Sequence, residues 1–283
     1  MTIIEWLVEN MSKLQKVGVD SPRRDCLVFV EDVLRKDRAW VVTHPQHGLG
    51  ASDLEELDRL IVRRLKREPL AYIRGKAWFY GRFFSVGPEV MIPRPESEAF
   101  IELLKQLVDS EQLTADSLKI IDIGTGSGCL AITAKLELPN AHVIAVDIDK
   151  KALELARHNT VKHNVDVKFI TSDLLTSAEL YHFVHDREQN DTVLIANLPY
   201  VPTGLVTSPE ILHEPKQALF SGKDGLSHYV SFWQQISKLL SKPQHVMTES
   251  LEKQHAAMTN LAADAGYELK RTEILVQHFE KIS

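Results

Sequence analysis

The sequence predicts an α/β protein: a doubly wound, mostly parallel sheet with an antiparallel C-terminal edge, preceded by a small helical domain. Three observations predict it. From residue 117 onwards, apolar runs of strand length alternate with segments of helical period: 118–123, a helix from Cys129, 142–148, a helix from Lys150, 167–171 and 192–196. A helix from Leu226, a strand near 245–248 and a helix over 252–265 continue the series. The last two strand-like runs, Tyr267–Ile274 and Val276–Ile282, are joined too closely for a crossover, so they must pair antiparallel at one edge. Finally, residues 1–75 carry only helical periodicity.

That first segment reads as three helices. Ile3, Ile4, Leu7, Val8, Met11 and Leu14 share one face of the first, which stops near Gly18. Ser21-Pro22 supplies an N-cap and a proline at the first helical position of the second, which runs through Leu27, Val30, Val33 and Leu34. A capping box from Ser52 to Glu55 opens the third, carrying Leu57, Leu60, Ile61 and Leu65. Its other face holds Arg59, Arg63, Arg64, Lys66 and Arg67, a solvated basic face or a docking surface for an acidic partner or RNA. Residues 76–90, aromatic, preceded by Gly75 and punctuated by Gly81 and Gly87, predict a β-hairpin linker. The third domain then spans 91–283. Pro93 and Pro95 force extended chain before Glu96-Ser97-Glu98 and a helix over 99–108; acidic residues there suit the helix dipole. Residues 177–191 read as a polar insertion.

Composition narrows the function classes. A content of 44% hydrophobic and 25% charged residues is that of a globular protein, and no apolar run approaches the ~20 residues that span a bilayer. No membrane association is therefore expected, and the mixed Thr2–Lys16 segment does not read as a signal peptide. Cys26 and Cys129 fit no redox or metal motif, and the twelve histidines lack paired ligand spacing; a cytoplasmic location and no metal are expected. Residues 1–90 hold 15 Lys and Arg against 13 Asp and Glu, and the remainder 18 against 26. So acidic a second part matches a phosphate backbone poorly, and no direct nucleic-acid binding is expected. The chain is expected to be a monomer.

Two stretches carry the chemistry. Gly124-Thr125-Gly126-Ser127-Gly128 follows an apolar strand and opens a helix, where glycines let the backbone turn sharply and approach a ligand. The second strand ends in Asp147, whose carboxylate can accept from both hydroxyls of a ribose, and the third in Ser172-Asp173, placed to meet an adenine edge. These residues point to a nucleoside cofactor, either a nicotinamide dinucleotide or S-adenosylmethionine. The dinucleotide fingerprint spaces its glycines G-x-G-x-x-G, whereas here they fall at 124, 126 and 128. Asp122 and Thr125 serve turn stabilisation or ligand contact equally well.

Asn197-Leu198-Pro199-Tyr200 ends the fourth strand, at the rim where open α/β sheets bind ligands. An amide nitrogen is a poor nucleophile because its lone pair is delocalised. To attack a methyl sulfonium it must be held in line, with both N–H bonds on acceptors. The Asn197 side-chain oxygen and a backbone carbonyl of the Leu198-Pro199 turn are candidates for these, and the Tyr200 ring for packing on the planar group.

The glycine spacing, with Asp122 two residues before it, resembles the class I S-adenosylmethionine-dependent methyltransferases, whose sheet also ends in an antiparallel pair. Asn197–Tyr200 resembles the Asn/Asp-Pro-Pro-Tyr motif of amino-methyltransferases. Over nearly the full chain the sequence is similar to the release-factor glutamine methyltransferases. The matching pieces are Glu68-Pro-Leu-Ala-Tyr-Ile-Arg-Gly75, Ile92-Pro-Arg-Pro-Glu-Ser-Glu98, Gly124–Gly128, Asn197–Tyr200, Glu214-Pro215 and Gly222–Leu226. The resemblance implies methyl transfer to the side-chain amide of the glutamine in the Gly-Gly-Gln loop of peptide chain release factors, helped by the N-terminal helical domain. It implies catalytic or substrate roles for Asn197, Leu198, Pro199 and Tyr200. Contact with S-adenosylmethionine falls to Gly124, Thr125, Gly126, Ser127, Gly128, Asp147, Asp173, Leu174 and Asn197. The sequence departs from the family pattern at Leu198, Leu174, Ser97 and the 248–250 segment. Alternatives are an adenine N6-methyltransferase acting on RNA or DNA, favoured by Leu198, and an inactive cofactor-binding adaptor.

Overall fold

The computed structural model describes residues 1–110, 113, 118–184, 191–205 and 208–282. It contains two compact units, Met1–Gly75 with Thr207–His213, and Lys76–Val206 with Glu214–Ser283.

The first unit is helical. In α1 (Ile3–Lys16) the Thr2 hydroxyl accepts from the Glu5 N–H while Glu5 accepts from the Thr2 N–H, a reciprocal cap. Helix α2 (Pro22–Leu34) ends on Arg35 in the left-handed region. Two short helices, α3 (Arg38–Thr43) and α5 (Leu70–Arg74), were not expected; five or six residues are too few to show a period. Between them α4 (Ala51–Leu65) starts one position before the proposed Ser52 cap, because the Asp53 carboxylate reaches back to the Gly50 N–H at 3.0 Å. Trp6, Leu14, Phe29, Leu57 and Ile61 form the core.

The basic face of α4 is largely structural, which is neither of the readings its sequence suggested. Arg64, buried, donates to Asp25 at 2.7 Å and to Glu210 at 2.9 Å. Arg67 donates to both oxygens of Glu210 and to the carbonyls of Val17 and Gly18 at the end of α1. Arg63 binds Glu68 and the carbonyls of Tyr72 and Ile73. The two arginines hold the Glu210 carboxyl down at about 2 against the opposing effect of its burial. These guanidinium groups close helix ends and anchor the 208–213 segment.

The second unit opens with a hairpin, β1 (Lys76–Phe79) and β2 (Arg82–Ser85), turned by Tyr80 and Gly81 at positive φ. A 3₁₀ turn, Pro95–Ser97, leads into α6 (Glu98–Asp109). There follow β3 (Lys119–Ile123), α7 (Cys129–Glu137), β4 (His142–Asp147), α8 (Lys150–His163), β5 (Lys168–Thr171), α9 (Ala178–Val184) and β6 (Thr192–Ala196). The expected polar insertion holds α9; its residues 185–190 lie outside those described. The chain completes with α10 (Lys216–Leu219), α11 (Ser227–Ser237), β7 (His245–Glu249), α12 (His255–Asp264), β8 (Tyr267–Glu273) and β9 (Val276–Lys281).

Seven strands form one sheet in the order β5-β4-β3-β6-β7-β9-β8. The first five are parallel, and β9 runs antiparallel to both its neighbours, as the short 274–275 connection required. Strands β3, β6 and β7 are buried along their whole length, so their apolar residues do not alternate with exposed polar ones; the polar residues they carry, among them Asp122 and Glu249, are buried too. Strand order reverses at β3, which places the ligand crevice beyond its C-terminal end. In register, Ile123 lies opposite Val146 and Ala196, so Gly124, Asp147 and Asn197 leave three adjacent strands at one rim.

Candidate active site

At that rim lies a cavity of about 570 Å³, within the range of small-molecule sites. Gly124, Thr125, Gly126, Ser127, Asp147, Asp173, Leu174, Asn197, Leu198 and Pro199 all line it. Of the residues singled out in the sequence for the two chemical stretches, Asp122, Gly128 and Tyr200 do not line it.

The glycine turn is built on backbone conformations that ordinary residues adopt with strain. Gly126 has φ 53°, and a side chain there would meet nothing within 4 Å, so its Cα is open to a ligand. Gly128 differs. Its φ is 79°, and a Cβ on it would also stand 3.0 Å from the Ala156 Cβ of α8 and 3.1 Å from Ile132 Cδ1, so the turn and the close approach to α8 both demand glycine. Asp147 ties the turn to the end of β4: Oδ2 accepts from the Gly126 N–H and Oδ1 from the Asp149 N–H, each at 2.9 Å. Burial pushes its carboxyl above the ordinary range, against those hydrogen bonds. Asp122 faces the interior rather than the cavity. Its Oδ2 accepts from Thr125 Oγ1 at 2.6 Å and from the Ala131 N–H, and burial raises its pKa to about 7. Both Asp122 and Thr125 therefore stabilise the turn, and Thr125 also lines the cavity. Leu174 holds φ 52° at the cavity wall, a left-handed conformation that costs about 1–3 kcal/mol in a residue with a side chain.

The other wall is made of side chains. Asn197 Nδ2 donates to Ser97 Oγ at 2.8 Å and to Glu249 Oε2 at 3.1 Å, while its Oδ1 is buried with no hydrogen-bond partner. Ser97 Oγ donates to Glu249 Oε2 at 2.6 Å, and the Tyr200 hydroxyl to Glu249 Oε1 at 2.7 Å. Glu249 ends β7 wholly buried, and that burial raises its pKa although three donors oppose the rise. Burial likewise raises the Tyr200 phenol. Tyr229 of α11 stitches the two strand ends together: its hydroxyl accepts from the Leu198 N–H at 3.1 Å and lies 2.9 Å and 2.6 Å from the carbonyls of Ala196 and Glu249. Glu214 fixes the proline-flanked segment, accepting from the Ile92 N–H at 3.0 Å and from Arg94 at 2.6 Å.

Ser97, Glu249 and Tyr229 were missed as site residues. Register carried the available signal: Ala196 pairs with Thr248, so the next residues along, Asn197 and Glu249, are neighbours at the rim. Among the described residues, no group of three or more His, Cys, Asp or Glu is placed to hold a metal ion, and no helix is long and apolar enough to cross a membrane.

A seven-stranded sheet of this order, with a reversed final pair and a glycine turn at its switch point, defines a class I methyltransferase fold. The hMettl16 catalytic domain, solved in complex with MAT2A 3'UTR hairpin 1, shares that fold: TM-score 0.55 at 12% identity, covering 85% of this chain and 84% of that one. Residues 5–75 match the PrmC N-terminal domain model and residues 98–213 the methyltransferase small domain model. The chain is 35% identical to the release factor glutamine methyltransferase of Staphylococcus aureus, over 87% of this chain and 84% of that protein. It is also 35% identical to that of Koribacter versatilis, over 80% and 78%. The chain belongs to the release factor glutamine methyltransferase family. It also matches the bifunctional methyltransferase of Rickettsia bellii at 30% identity over 94% of its own length, and spans about half, 51%, of that longer relative.

Proposed function

We propose that this protein transfers a methyl group from S-adenosylmethionine to the side-chain amide nitrogen of the glutamine in the Gly-Gly-Gln loop of a peptide chain release factor. The observation that carries this reading is the Asn197 amide. Its donor end is tied back into the protein, while its acceptor end, Oδ1, is buried and unpartnered in a residue that lines the cavity. An unsatisfied buried acceptor costs about 1–3 kcal/mol, so a substrate N–H that meets it is strongly favoured.

The cavity fits the cofactor. Gly126 leaves open space where a side chain would stand, the Asp147 carboxylate keeps lone pairs beyond the two it gives to backbone N–H groups, and Asp173 and Leu174 stand on the same wall. When bound, S-adenosylmethionine supplies a methyl group on a sulfonium, electrophilic without any acid. The protein then has to hold the amide nitrogen in line. Asn197 Oδ1 accepts one N–H and a carbonyl of the Leu198-Pro199 turn the other, which stabilises the positive charge that grows on nitrogen as its lone pair is used. The proton leaves after transfer, so no general base of tuned pKa is required. The Gly124–Gly128 turn contributes backbone, Asp147 the acceptor for the ribose diol, Asp173 and Leu174 the adenine contacts. Tyr200 acts from behind, through Glu249. The helical segment, residues 1–75, contributes recognition of the folded release factor, and the chain works as a monomer in the cytoplasm.

Incubating the purified chain with a release factor and methyl-labelled cofactor tests the reading. Label is expected on the release factor and not on RNA or DNA supplied in its place. Label on nucleic acid alone would overturn it.

A further inference from the structure

An asparagine amide can usually sit either way round, because its two ends have the same shape and only their hydrogen bonds differ. At Asn197 the surroundings decide. Nδ2 has two hydrogens, and its two neighbours both present lone pairs: Ser97 Oγ at 2.8 Å, whose own hydrogen is committed to Glu249, and Glu249 Oε2 at 3.1 Å. The Tyr200 hydroxyl donates to the second oxygen of the same carboxylate. Glu249 is 0% exposed, so water offers no alternative partner on that side. Turned over, the amide would set its oxygen against a carboxylate and a lone pair.

We propose that Glu249, acting through Ser97 and directly, is a positioning residue that fixes which end of the Asn197 amide faces the substrate, and thereby makes the site select a nitrogen bearing hydrogens over a carboxylate. The inference rests on the reading of the chain as a glutamine-amide methyltransferase. A glutamine side chain brings N–H donors to Oδ1, whereas an ionised glutamate side chain brings only lone pairs and meets repulsion. Asn197 cannot relieve that repulsion by flipping, because Glu249 holds its other end.

Second-site rescue tests this. Asn197→Asp sets a second carboxylate against Glu249, and is expected to lower kcat on a purified release factor by at least about 100-fold. Adding Glu249→Gln places an amide donor opposite one Asp oxygen and leaves the other as an acceptor at the old Oδ1 position. The double variant is therefore expected to recover at least about tenfold over Asn197→Asp, a coupling between neighbours that independent losses do not show. Glu249→Gln alone is expected to lower kcat by about tenfold with KM and cofactor Kd within about threefold of wild type, since a neutral acceptor holds the amide more weakly than a charged one. A double variant no more active than Asn197→Asp would overturn the positioning role. So would a Glu249→Gln loss that runs parallel to lost cofactor affinity or lost fold. A wild-type chain that leaves the release factor unmethylated would overturn the underlying reading, and that result is visible without any variant.

Discussion

The ends of β3 and β7 both hold polar groups at the rim of a buried sheet, and they do so by opposite means. Beyond β3 the wall is backbone: the four residues Gly124 to Ser127, with Gly124 and Gly126 at positive φ, and Asp147 accepting from two N–H groups. The β7 end is built of side chains: Ser97, Asn197 with Tyr200, and Glu249 come from three separate places in the sequence and meet through one buried carboxylate. The first arrangement suits a cofactor shared by many reactions, since backbone geometry is indifferent to the substrate. The second suits discrimination, because each member restricts the orientation of the next.

Variants at the two ends should separate binding from turnover. Asn197→Ala removes the acceptor proposed to meet the substrate, and kcat is expected to fall by about 100-fold to 1,000-fold while cofactor Kd, read by calorimetry, stays within about threefold. Asp147→Ala is the opposite case. It removes the proposed diol acceptor and frees the Gly126 and Asp149 N–H groups, so cofactor Kd is expected to rise by at least about tenfold. If Asn197→Ala chiefly weakened the cofactor and Asp147→Ala chiefly slowed turnover, the division between the two walls would be wrong.

Smaller effects should come from the residues behind each wall. Tyr229→Phe strands the buried Leu198 N–H, which costs about 1–3 kcal/mol. Thermal melting is expected to show a fall in Tm of about 3–8 °C, with kcat reduced more than cofactor affinity. An unchanged Tm would mean that the hydroxyl does not hold the two strand ends.

At the β3 end the sensitive quantity is pH. Burial raises Asp122 from 3.8 to about 7, so the folded state favours its protonated form more than the unfolded state does. The stability this confers is complete below the unfolded value and is lost as pH rises from about 4 to about 7. Asp122→Asn, always neutral, escapes that loss and keeps an acceptor for Thr125 and Ala131. Its Tm relative to wild type is therefore expected to rise between pH 5 and pH 8, by roughly 5 °C or more, and then to level off. A difference independent of pH would show that Asp122 is not ionising in the folded protein.

The same contrast explains what the sequence revealed. The glycine turn, Asp147 and Asp173 are local signals at strand ends, and the parallel sheet with its reversed edge followed from period and connection length alone. Asn197 was legible because it stands in a four-residue stretch with its own chemistry. Ser97 and Glu249 were not, because a serine at a helix start and a glutamate ending a strand have ordinary local roles. Only strand register brings Glu249 beside Asn197. Arg64 and Arg67 illustrate the converse, a face that reads as a charged surface and proves to be structural, since its partners Asp25 and Glu210 are distant in sequence. Gly128, grouped with the turn by spacing, shares its left-handed backbone and also makes room for α8.

A buried, one-sided asparagine is proposed to present a glutamine amide for methylation. Fragment mass spectrometry of a release factor treated with the protein and S-adenosylmethionine tests it most directly. One added methyl is expected, on the side-chain nitrogen of the glutamine in the Gly-Gly-Gln peptide, and none in the Asn197→Ala control. A methyl placed on any other residue, or on that glutamine with Asn197→Ala as active as wild type, would contradict it.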